Sequence, residues 1–190
     1  MKIELFRYLR TDSPHDDGYP HWSRKYEYPT VLNEILKRKS EFVTPTVHNS
    51  SWGFDEEHHQ KFKNSLEAEF GVVNVTNSDI IYRQIPNTCY HNITEPPNEN
   101  FREKFDFVLN VSALEEIPGD HDQYLRNLYD QVKPGGYLIC TFDYPGLRLS
   151  NLDNILDKSD YENRLFRDTT GWINVGEISV LLFVAKKENE

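Results

Sequence analysis

Four ionisable side chains in the second half of the chain are of types that can move a proton during a reaction. They are Glu115, Glu116, His121 and Asp143. Carboxylates and imidazoles can take the proton from a hydroxyl group that is about to act as a nucleophile. Asp143, Glu116 and His121 are therefore our candidate catalytic residues.

The two adjacent glutamates have other interpretations. Glu115 and Glu116 precede a predicted helix, where the helix dipole stabilises negative charge. Two or three of the carboxylates could also share a divalent cation through their oxygen atoms. Their spacing is too irregular to indicate such a site, so no metal ligands are predicted.

The elements around these side chains form one βαβ unit. Apolar runs at Phe105–Val111 and Tyr137–Phe142 predict two strands that are covered on both faces of a parallel sheet. Between them, apolar spacing predicts a helix over Asp120–Val132, with Asp120 as its cap and Pro134-Gly135-Gly136 after its end. Ligands of such sheets bind at the carboxyl ends of the strands, where the candidate residues follow.

This unit resembles part of the class I S-adenosylmethionine-dependent methyltransferases. The residues that carry the resemblance are FDFVLNVSALEE at 105–116 and KPGG at 133–136, which look like that fold's fourth and fifth strands with the helix between them. The resemblance implies an α/β, Rossmann-like domain with a seven-stranded sheet in the order 3-2-1-4-5-7-6 and helices on both faces. It also implies S-adenosylmethionine as the cofactor, with Asn110, Val111 and Ser112 beside its methionine part.

The segment before this unit predicts the first strand and the loop that follows it. Glu41–Val47 is the candidate strand, although Pro45 would be awkward in a central one. The loop His48–Gly53 stands where the family carries a glycine-rich fingerprint, and a helix is predicted over Phe54–Phe70. By the resemblance, the loop residues that would contact the cofactor are His48, Asn49, Ser50 and Gly53.

The second and third strands are predicted at Val72–Thr76 and Thr88–Ile93. Too few residues separate them for a full crossover helix, so this half of the sheet is expected to be abbreviated. By the resemblance, Asp79 would bind the cofactor ribose and Asn92 the adenine. Both residue types also form turns, so an Asx turn is the alternative for Asp79 and a plain turn for Asn92.

The first forty residues are predicted to form an arm and a helix that cover the cofactor cleft. A short strand-like or helical piece runs into the polar sequence TDSPHDDGYP, and Pro29 can occupy the first turn of the helix. The apolar stripe of this helix consists of Val31, Leu32, Ile35 and Leu36. By the resemblance, Arg24 and Tyr28 would reach the cofactor carboxylate, and the alternative is surface solvation with aromatic packing.

The last forty residues predict a short helix at Leu149–Leu156 and two further strands around Gly171–Gly176. The final strand, Ile178–Ala185, is strongly apolar. These two strands would form the antiparallel hairpin that completes the sheet.

Composition limits the partners of the chain. With 190 residues it is predicted to form a single domain, 1–190. A net charge of −10 and a pI near 5.2 argue against nucleic acid and anionic membranes as partners. Cys89 and Cys140 lie in separate predicted strands, which indicates reduced thiols and a cytoplasmic setting. No apolar run approaches the ~20 residues of a membrane span.

These observations predict an S-adenosylmethionine-dependent O-methyltransferase that acts on a hydroxyl of a small molecule or sugar, in glycan biosynthesis. The sugar acceptor is implied by the resemblance. The alternative is a catalytically inactive protein of the same fold that serves in binding or as a scaffold. The missing glycine fingerprint at His48–Gly53 motivates that alternative.

Overall fold

The computed structural model describes residues 1–19, 21–53, 57–81, 88–144, 146, 174–175 and 178–189. Its longer elements are, in chain order, β1 (Lys2–Tyr8), α1 (Arg24–Arg38), β2 (Val47–Ser50), α2 (Glu57–Phe70), β3 (Val75–Asp79), β4 (Thr88–Tyr90), β5 (Phe105–Val111), α3 (His121–Tyr129), β6 (Val132–Tyr144), β7 (Asn174–Val175) and β8 (Ile178–Lys186). No helix within these ranges is both long and apolar enough to cross a membrane.

The strands form one mixed sheet in which β4, β3, β2, β5, β6 and β8 lie side by side in that order. The first five of these run parallel, and β8 is antiparallel to β6. Strand β7 pairs with the start of β8. The predicted order 3-2-1-4-5-7-6 is therefore confirmed.

Strand β1 adds an eighth member to the sheet. It runs antiparallel to β8 from the pair Lys2 and Lys186 to the pair Tyr8 and Leu181. Ser179 of β8 pairs with β6 on one side and with β7 on the other, so β1 continues the edge on which β7 lies. The sequence predicts a strand-like or helical piece here, but it does not indicate that this piece pairs within the sheet.

Two apolar layers cover the two faces of the sheet. Helices α1 and α2 pack on one face, where their stripes meet alternate residues of the strands. Helix α3 packs on the other face through Leu125 and Leu128, which are fully buried. Because β5 is buried at every position, its near-continuous apolar sequence is explained by cover on both faces.

The predicted apolar stripes of α1 and α2 are largely confirmed. In α1, Val31 and Ile35 are fully buried, whereas Leu36 is 41% exposed and does not belong to the stripe. In α2, the buried apolar residues are Phe62, Leu66 and Phe70. Gly71 follows the helix with a φ of +83°, a conformation that residues with a side chain adopt rarely.

The first three strands of the predicted sheet begin or end elsewhere than predicted. Strand β2 begins at Val47, where the predicted strand ended, because Pro45 cannot donate to a central ladder. Strand β3 likewise starts at Val75, since 72–74 form one 3-10 turn. Strand β4 ends at Tyr90, three residues early.

The βαβ unit is confirmed with a different junction. The Asp120 side chain accepts from the Gln123 N–H at 3.2 Å, which is the predicted cap. The helix ends at Tyr129, and β6 already starts at Val132 and runs through the Pro-Gly-Gly sequence. Gly136 fits there because a Cβ would come within 2.7 Å of the Asp106 carbonyl oxygen.

Three predicted elements lie wholly or partly outside the described residues. They are the helix predicted at 149–156, the first three residues of the helix predicted at 54–70, and the strand predicted around 171–176, of which 174–175 are described.

Candidate active site

The crossover point of the sheet lies between β2 and β5. From β2 the chain continues to β3 and β4 on one side, while β6 lies on the other side of β5. In open α/β sheets, ligands bind outside the carboxyl ends of the strands at such a point. The strand ends here present Ser50, Asp79, Asn110 and Asp143.

Ser50 and Asn110 are neighbours across this point. They are in register on β2 and β5, and they are 1% and 0% exposed. The Asn110 Oδ1 atom accepts from the Leu114 N–H at 3.1 Å, but its Nδ2 has no hydrogen-bond partner within the described ranges. The Ser50 Oγ is likewise without one. Buried polar atoms without partners are costly, so this pair is suited to a polar ligand.

Ser112 terminates β5 in an unusual backbone conformation. Its φ is +40°, in the left-handed region that non-glycine residues adopt rarely. Its N–H donates to the Thr141 carbonyl on β6 at 3.0 Å, and its hydroxyl donates to Glu27 of α1. Backbone strain of this kind concentrates at functional sites.

Glu27 joins helix α1 to the ends of β5 and β6. Its carboxylate is fully buried and accepts from the hydroxyls of Ser112, Thr141 and Ser23, with distances of 2.5 Å to Thr141 and 2.7 Å to Ser23. The Arg24 guanidinium, one turn earlier, pairs with the same carboxylate. Through these contacts, α1 covers the centre of the candidate site.

This network keeps Glu27 ionised. Burial alone would raise the pKa of Glu27, but the charge of Arg24 and the three hydroxyl donors outweigh it and lower the pKa. Burial disfavours the charged form of Arg24, yet the Glu27 charge keeps its pKa above the ordinary value. The pair therefore stays charged across the physiological range.

A second pair of carboxyl groups lies at the ends of β5 and β6. Glu115, 8% exposed, accepts the Asp143 N–H through Oε1 at 2.6 Å. The Glu115 Oε2 and the Asp143 Oδ1 are buried without partners among the described residues. The Glu115 carboxyl is therefore held in place through one oxygen, and each of the two carboxyls keeps one oxygen that a ligand could satisfy.

The two carboxyls differ in protonation. Burial is the main cause that raises the pKa of Glu115 to about 8, with the charges of Asp143 and Glu27 adding to it. Burial and the charge of Glu27 raise the pKa of Asp143 to about 6, against the opposing effect of Arg24. At pH 7, Asp143 is mainly a carboxylate that can accept a proton, whereas Glu115 is mainly a neutral acid.

The loop after β2 is tied to Asp79. The Gly53 N–H donates to Asp79 Oδ2 at 3.2 Å, and the Ile81 N–H donates to Oδ1 at 2.9 Å. Gly53 has a φ of +62°, and a Cβ there would lie 3.0 Å from the His59 ring. A glycine is thus required at this one loop position, and Asp79 forms the Asx turn that was the alternative interpretation.

Tyr28 of α1 and His59 of α2 contact each other next to this loop. The Tyr28 hydroxyl is hydrogen-bonded to His59 Nδ1 at 2.6 Å, and its ring stacks on Phe62 at 4.3 Å between centroids. Burial is the main cause that lowers the pKa of His59 to about 3, so the ring is neutral. Of the two interpretations of Tyr28, aromatic packing is the one that these contacts describe.

Several predicted site residues lie away from the strand ends. His48 is fully buried inside β2, where its ring nitrogens contact Gln131 and Ser78 at 2.7 Å. Asn49 donates to Asn77 within the sheet. The prediction placed both in a loop because it ended the strand too early, so neither belongs to the candidate site.

The remaining predicted residues have different surroundings. Asn92 forms a turn, accepting from the Thr94 N–H at 3.1 Å, as its alternative interpretation stated. Val111 is buried in the apolar layer under α1 and α2. His121 is 3% exposed and its Nε2 contacts the Ile117 carbonyl at 3.0 Å. Glu116 is exposed, and its charge contributes to the raised pKa of Asp143.

Glu27 was missed as a site residue, and Glu115 was left out of the catalytic set. A signal for Glu27 exists in the sequence, because it lies four residues before Val31 and eight before Ile35, on the apolar stripe of α1. A carboxylate on a buried stripe needs partners from elsewhere. For Glu115, burial distinguishes it from Glu116, and one sequence cannot show which of two adjacent glutamates faces inward.

Within the described ranges, no group of three or more His, Cys, Asp or Glu side chains could hold a metal ion. Cys89 and Cys140 are free thiols.

Comparison with solved structures identifies the fold. The chain is similar to the cyclase SpnF, with a TM-score of 0.59 and 11% identity over 97% of this chain and 88% of that one. It is also similar to a putative sarcosine dimethylglycine methyltransferase from Galdieria sulphuraria (TM-score 0.52, 12% identity, 84% of each chain). A third similar structure is 1,6-didemethyltoxoflavin-N1-methyltransferase from Burkholderia thailandensis, which contains S-adenosylhomocysteine (0.53, 14% identity, 91% and 83%).

The chain has the class I methyltransferase fold. Its sequence matches no protein-family model and no curated protein. At this level of identity the similarity establishes the fold alone, and SpnF shows that a cyclase can share it.

Proposed function

We propose that the protein is an S-adenosylmethionine-dependent methyltransferase that acts on a hydroxyl group of a small molecule, with a sugar as the acceptor class and glycan biosynthesis as the setting. The fold supports the methyltransferase part of this proposal. The acceptor class follows from the sequence resemblance and from a carboxylate at the site that can take a hydroxyl proton.

The observation that carries the proposal is a pair of buried polar atoms at the crossover point that have no hydrogen-bond partner among the described residues. Ser50 Oγ and Asn110 Nδ2 lie on neighbouring strands at the edge where this fold class binds ligands. One donor and one hydroxyl in register fit the polar groups of a cofactor that crosses the strand ends. Ser112 and the Gly53 loop would flank it on either side.

Different residues of the chain would bind the cofactor and activate the acceptor. S-adenosylmethionine, when bound, supplies a methyl group on a positively charged sulfur. Asn110 and Ser112 would orient it, and the loop at Gly53 would approach it closely because no side chain intervenes. Asp143 would hold the acceptor hydroxyl and take its proton, since it is mainly ionised at pH 7.

Calorimetric titration with S-adenosylmethionine tests the first part of this proposal. We expect saturable binding, weakened about tenfold or more by Asn110→Asp, which removes the Nδ2 donor but keeps the oxygen that holds the Leu114 N–H. Asn98→Asp, at an exposed turn outside the site, is the matched control. Absence of binding at millimolar cofactor contradicts the proposal.

The acceptor class is tested by incubating the protein with S-adenosylmethionine and a panel of sugars and sugar nucleotides. The expected product gains the mass of one methylene unit, and fragmentation should place the methyl on oxygen. Methylation of an amine alone would show that the acceptor class is wrong.

The contacts of Glu27 favour a second candidate function, a binding or scaffold protein without catalysis. The Glu27 carboxylate occupies the hydroxyls of Ser112 and Thr141 at the centre of the site. If α1 stays closed there, no cofactor reaches the strand ends. Mass spectrometry of the denatured protein distinguishes the two, because co-purified cofactor excludes the closed scaffold.

A further inference from the structure

We propose that the Glu115 carboxyl group, next to Asp143, receives the positive sulfur of the cofactor, and that Glu115 releases its proton when this cation binds. This inference rests on the proposed function and adds a ligand-linked protonation site to it. The step is an acid dissociation, in which the Glu115 carboxylic acid becomes a carboxylate and its proton passes to the solvent. No covalent bond to the ligand forms.

The geometry of Glu115 suggests a partner outside the protein. Its side chain is nine-tenths buried, and Oε1 is fixed by the Asp143 N–H at 2.6 Å. The Oε2 atom is buried and has no partner in the described part of the chain. A carboxyl group held at one oxygen and unsatisfied at the other is suited to a ligand that neutralises it.

The charges around Glu115 place it beside the residues that would face the sulfur. Asp143 and the Cys140 thiol approach from β6, and Glu27 approaches from α1. Glu27 itself contacts Ser112, at the strand end where the resemblance puts the methionine part of the cofactor. Glu115 is therefore near the expected position of the positive sulfur.

Among the described residues around Glu115, the carboxylates outnumber the cations. Glu27 and Asp143 are ionised at neutral pH, Glu116 follows in the same turn, and Arg24 is the cation that pairs with Glu27. The Cys140 thiol stays neutral because burial raises its pKa. Ionising Glu115 as well is unfavourable without a further positive charge, which a sulfonium would provide.

The protonation of Glu115 then follows from linkage. In the free protein its pKa is raised to about 8, mainly by burial, so it carries a proton at pH 7. A cation beside it lowers that pKa, so binding releases the proton and affinity for the cation increases with pH. A neutral ligand at the same place would not release it.

Calorimetry in buffers of different ionisation enthalpy measures this proton directly. We expect S-adenosylmethionine to release close to one proton per site at pH 7, and its affinity to rise up to about tenfold per pH unit between pH 6 and 8. S-adenosylhomocysteine lacks the transferable methyl group and so has a neutral sulfur. Its binding should release far fewer protons. Equal release by both ligands, or none by either, overturns the proposal.

Two variants assign the proton to Glu115. Glu115→Gln keeps an oxygen for the Asp143 N–H and should remove most of the proton release at pH 7 and the pH dependence of affinity between pH 7 and 8, where Asp143 is already mainly ionised. Glu99→Gln, at an exposed position away from the site, should leave both unchanged. If Glu115→Gln still releases the proton, the assignment is wrong. Loss of all binding in the natural protein instead contradicts the proposed function as well, which separates the two failures.

Discussion

Glu27 illustrates how one residue can decide what a site does. It lies on the buried stripe of α1, it is held by three hydroxyls and one guanidinium, and it contacts both strands that end at the site. A buried charge is tolerated only when its partners are in place. The position of α1 over the strand ends therefore depends on this carboxylate.

Replacement of Glu27 by Ala should be strongly destabilising. Arg24, 13% exposed at its side chain, would remain buried without its partner, and the expected loss is about 3–5 kcal/mol in urea unfolding. Because the Glu27 pKa is lowered in the folded protein, the natural stabilisation is present above the pKa of the unfolded chain and is lost as pH falls.

Glu34→Ala on the same helix is the comparison. Glu34 is also buried, but its partner Lys37 is 56% exposed and can be hydrated after the substitution, and its second partner, Arg38, keeps an ion pair with Glu4. We expect a smaller loss than for Glu27→Ala. A Glu27→Ala loss below about 1 kcal/mol would show that the network does not hold α1.

At the scale of elements, the loop between β2 and α2 replaces several glycines with one. Gly53 takes the left-handed conformation and gives room to His59, while Asp79 fixes the loop from the end of β3. Ser51 also has a positive φ, +54°. The loop thus keeps the close approach of backbone to the strand ends that a glycine-rich sequence usually provides.

Gly53→Ala should weaken binding of S-adenosylmethionine about tenfold or more, because the new Cβ displaces His59 or the loop. Calorimetric titration measures this effect. Gly71→Ala is the matched control: its φ is +83°, but the nearest atom to a Cβ is 3.7 Å away and lies outside the site. It should lose stability by about 1 kcal/mol and keep its affinity. Equal affinity losses in the two variants would contradict this account.

Strand β1 has a different role, since it covers the free edge of β8. Residues 180–185 of β8 are fully buried and almost entirely apolar. An exposed apolar edge of this length would pair with other chains.

Removal of residues 1–8 should therefore increase the fraction of the protein that forms larger assemblies or becomes insoluble. Size-exclusion chromatography and the soluble fraction measure this change. Lys2→Ala, at the exposed start of the strand, should have no effect. A truncated chain that elutes as before would show that β7 alone protects the edge.

The sequence was sufficient for the elements whose patterns are local. The cap at Asp120, the buried strand Phe105–Val111 and the stripe of α2 depend on residues a few positions apart. The pairing of β1 with β8 and the contact of Glu27 with Thr141 join distant parts of the chain, and no local pattern encodes them. Strand ends were misplaced where Pro45 and the 72–74 turn shift the ladder.

At the scale of the whole molecule, buried ionisable groups should give stability a maximum near neutral pH. Burial is the main cause that lowers the pKa values of His48 to about 3, His91 to about 4 and His59 to about 3. Below pH 6.5 these histidines bind protons in the unfolded chain but stay neutral in the folded protein. The free energy of unfolding therefore decreases as the pH is lowered. Glu115 has the opposite effect, because its pKa is raised from 4.5 to about 8 and the folded protein keeps this proton where the unfolded chain has lost it. Its contribution to stability therefore decreases as the pH rises from about 4.5 towards 8.

Unfolding free energies measured from pH 4 to 9 check this expectation. We expect an acid limb that becomes shallower in His48→Gln and an alkaline limb that becomes shallower in Glu115→Gln. Asn98→Gln, at an exposed position without an ionisable group, should change neither slope. Parallel curves for all four proteins would show that these groups do not set the pH range.

The pairing of β1 with β8 also has a consequence for synthesis on the ribosome. The edge strand made first pairs, from Lys2 to Tyr8, with the strand made last among those described. During elongation, Lys2–Tyr8 has no partner strand while the parallel strands assemble. The pairings of those strands are already distant in sequence. The sheet can close only after β8 emerges, so a ribosome stalled before Ile178 would hold a chain whose two edges are both unprotected, which makes it a substrate for chaperones.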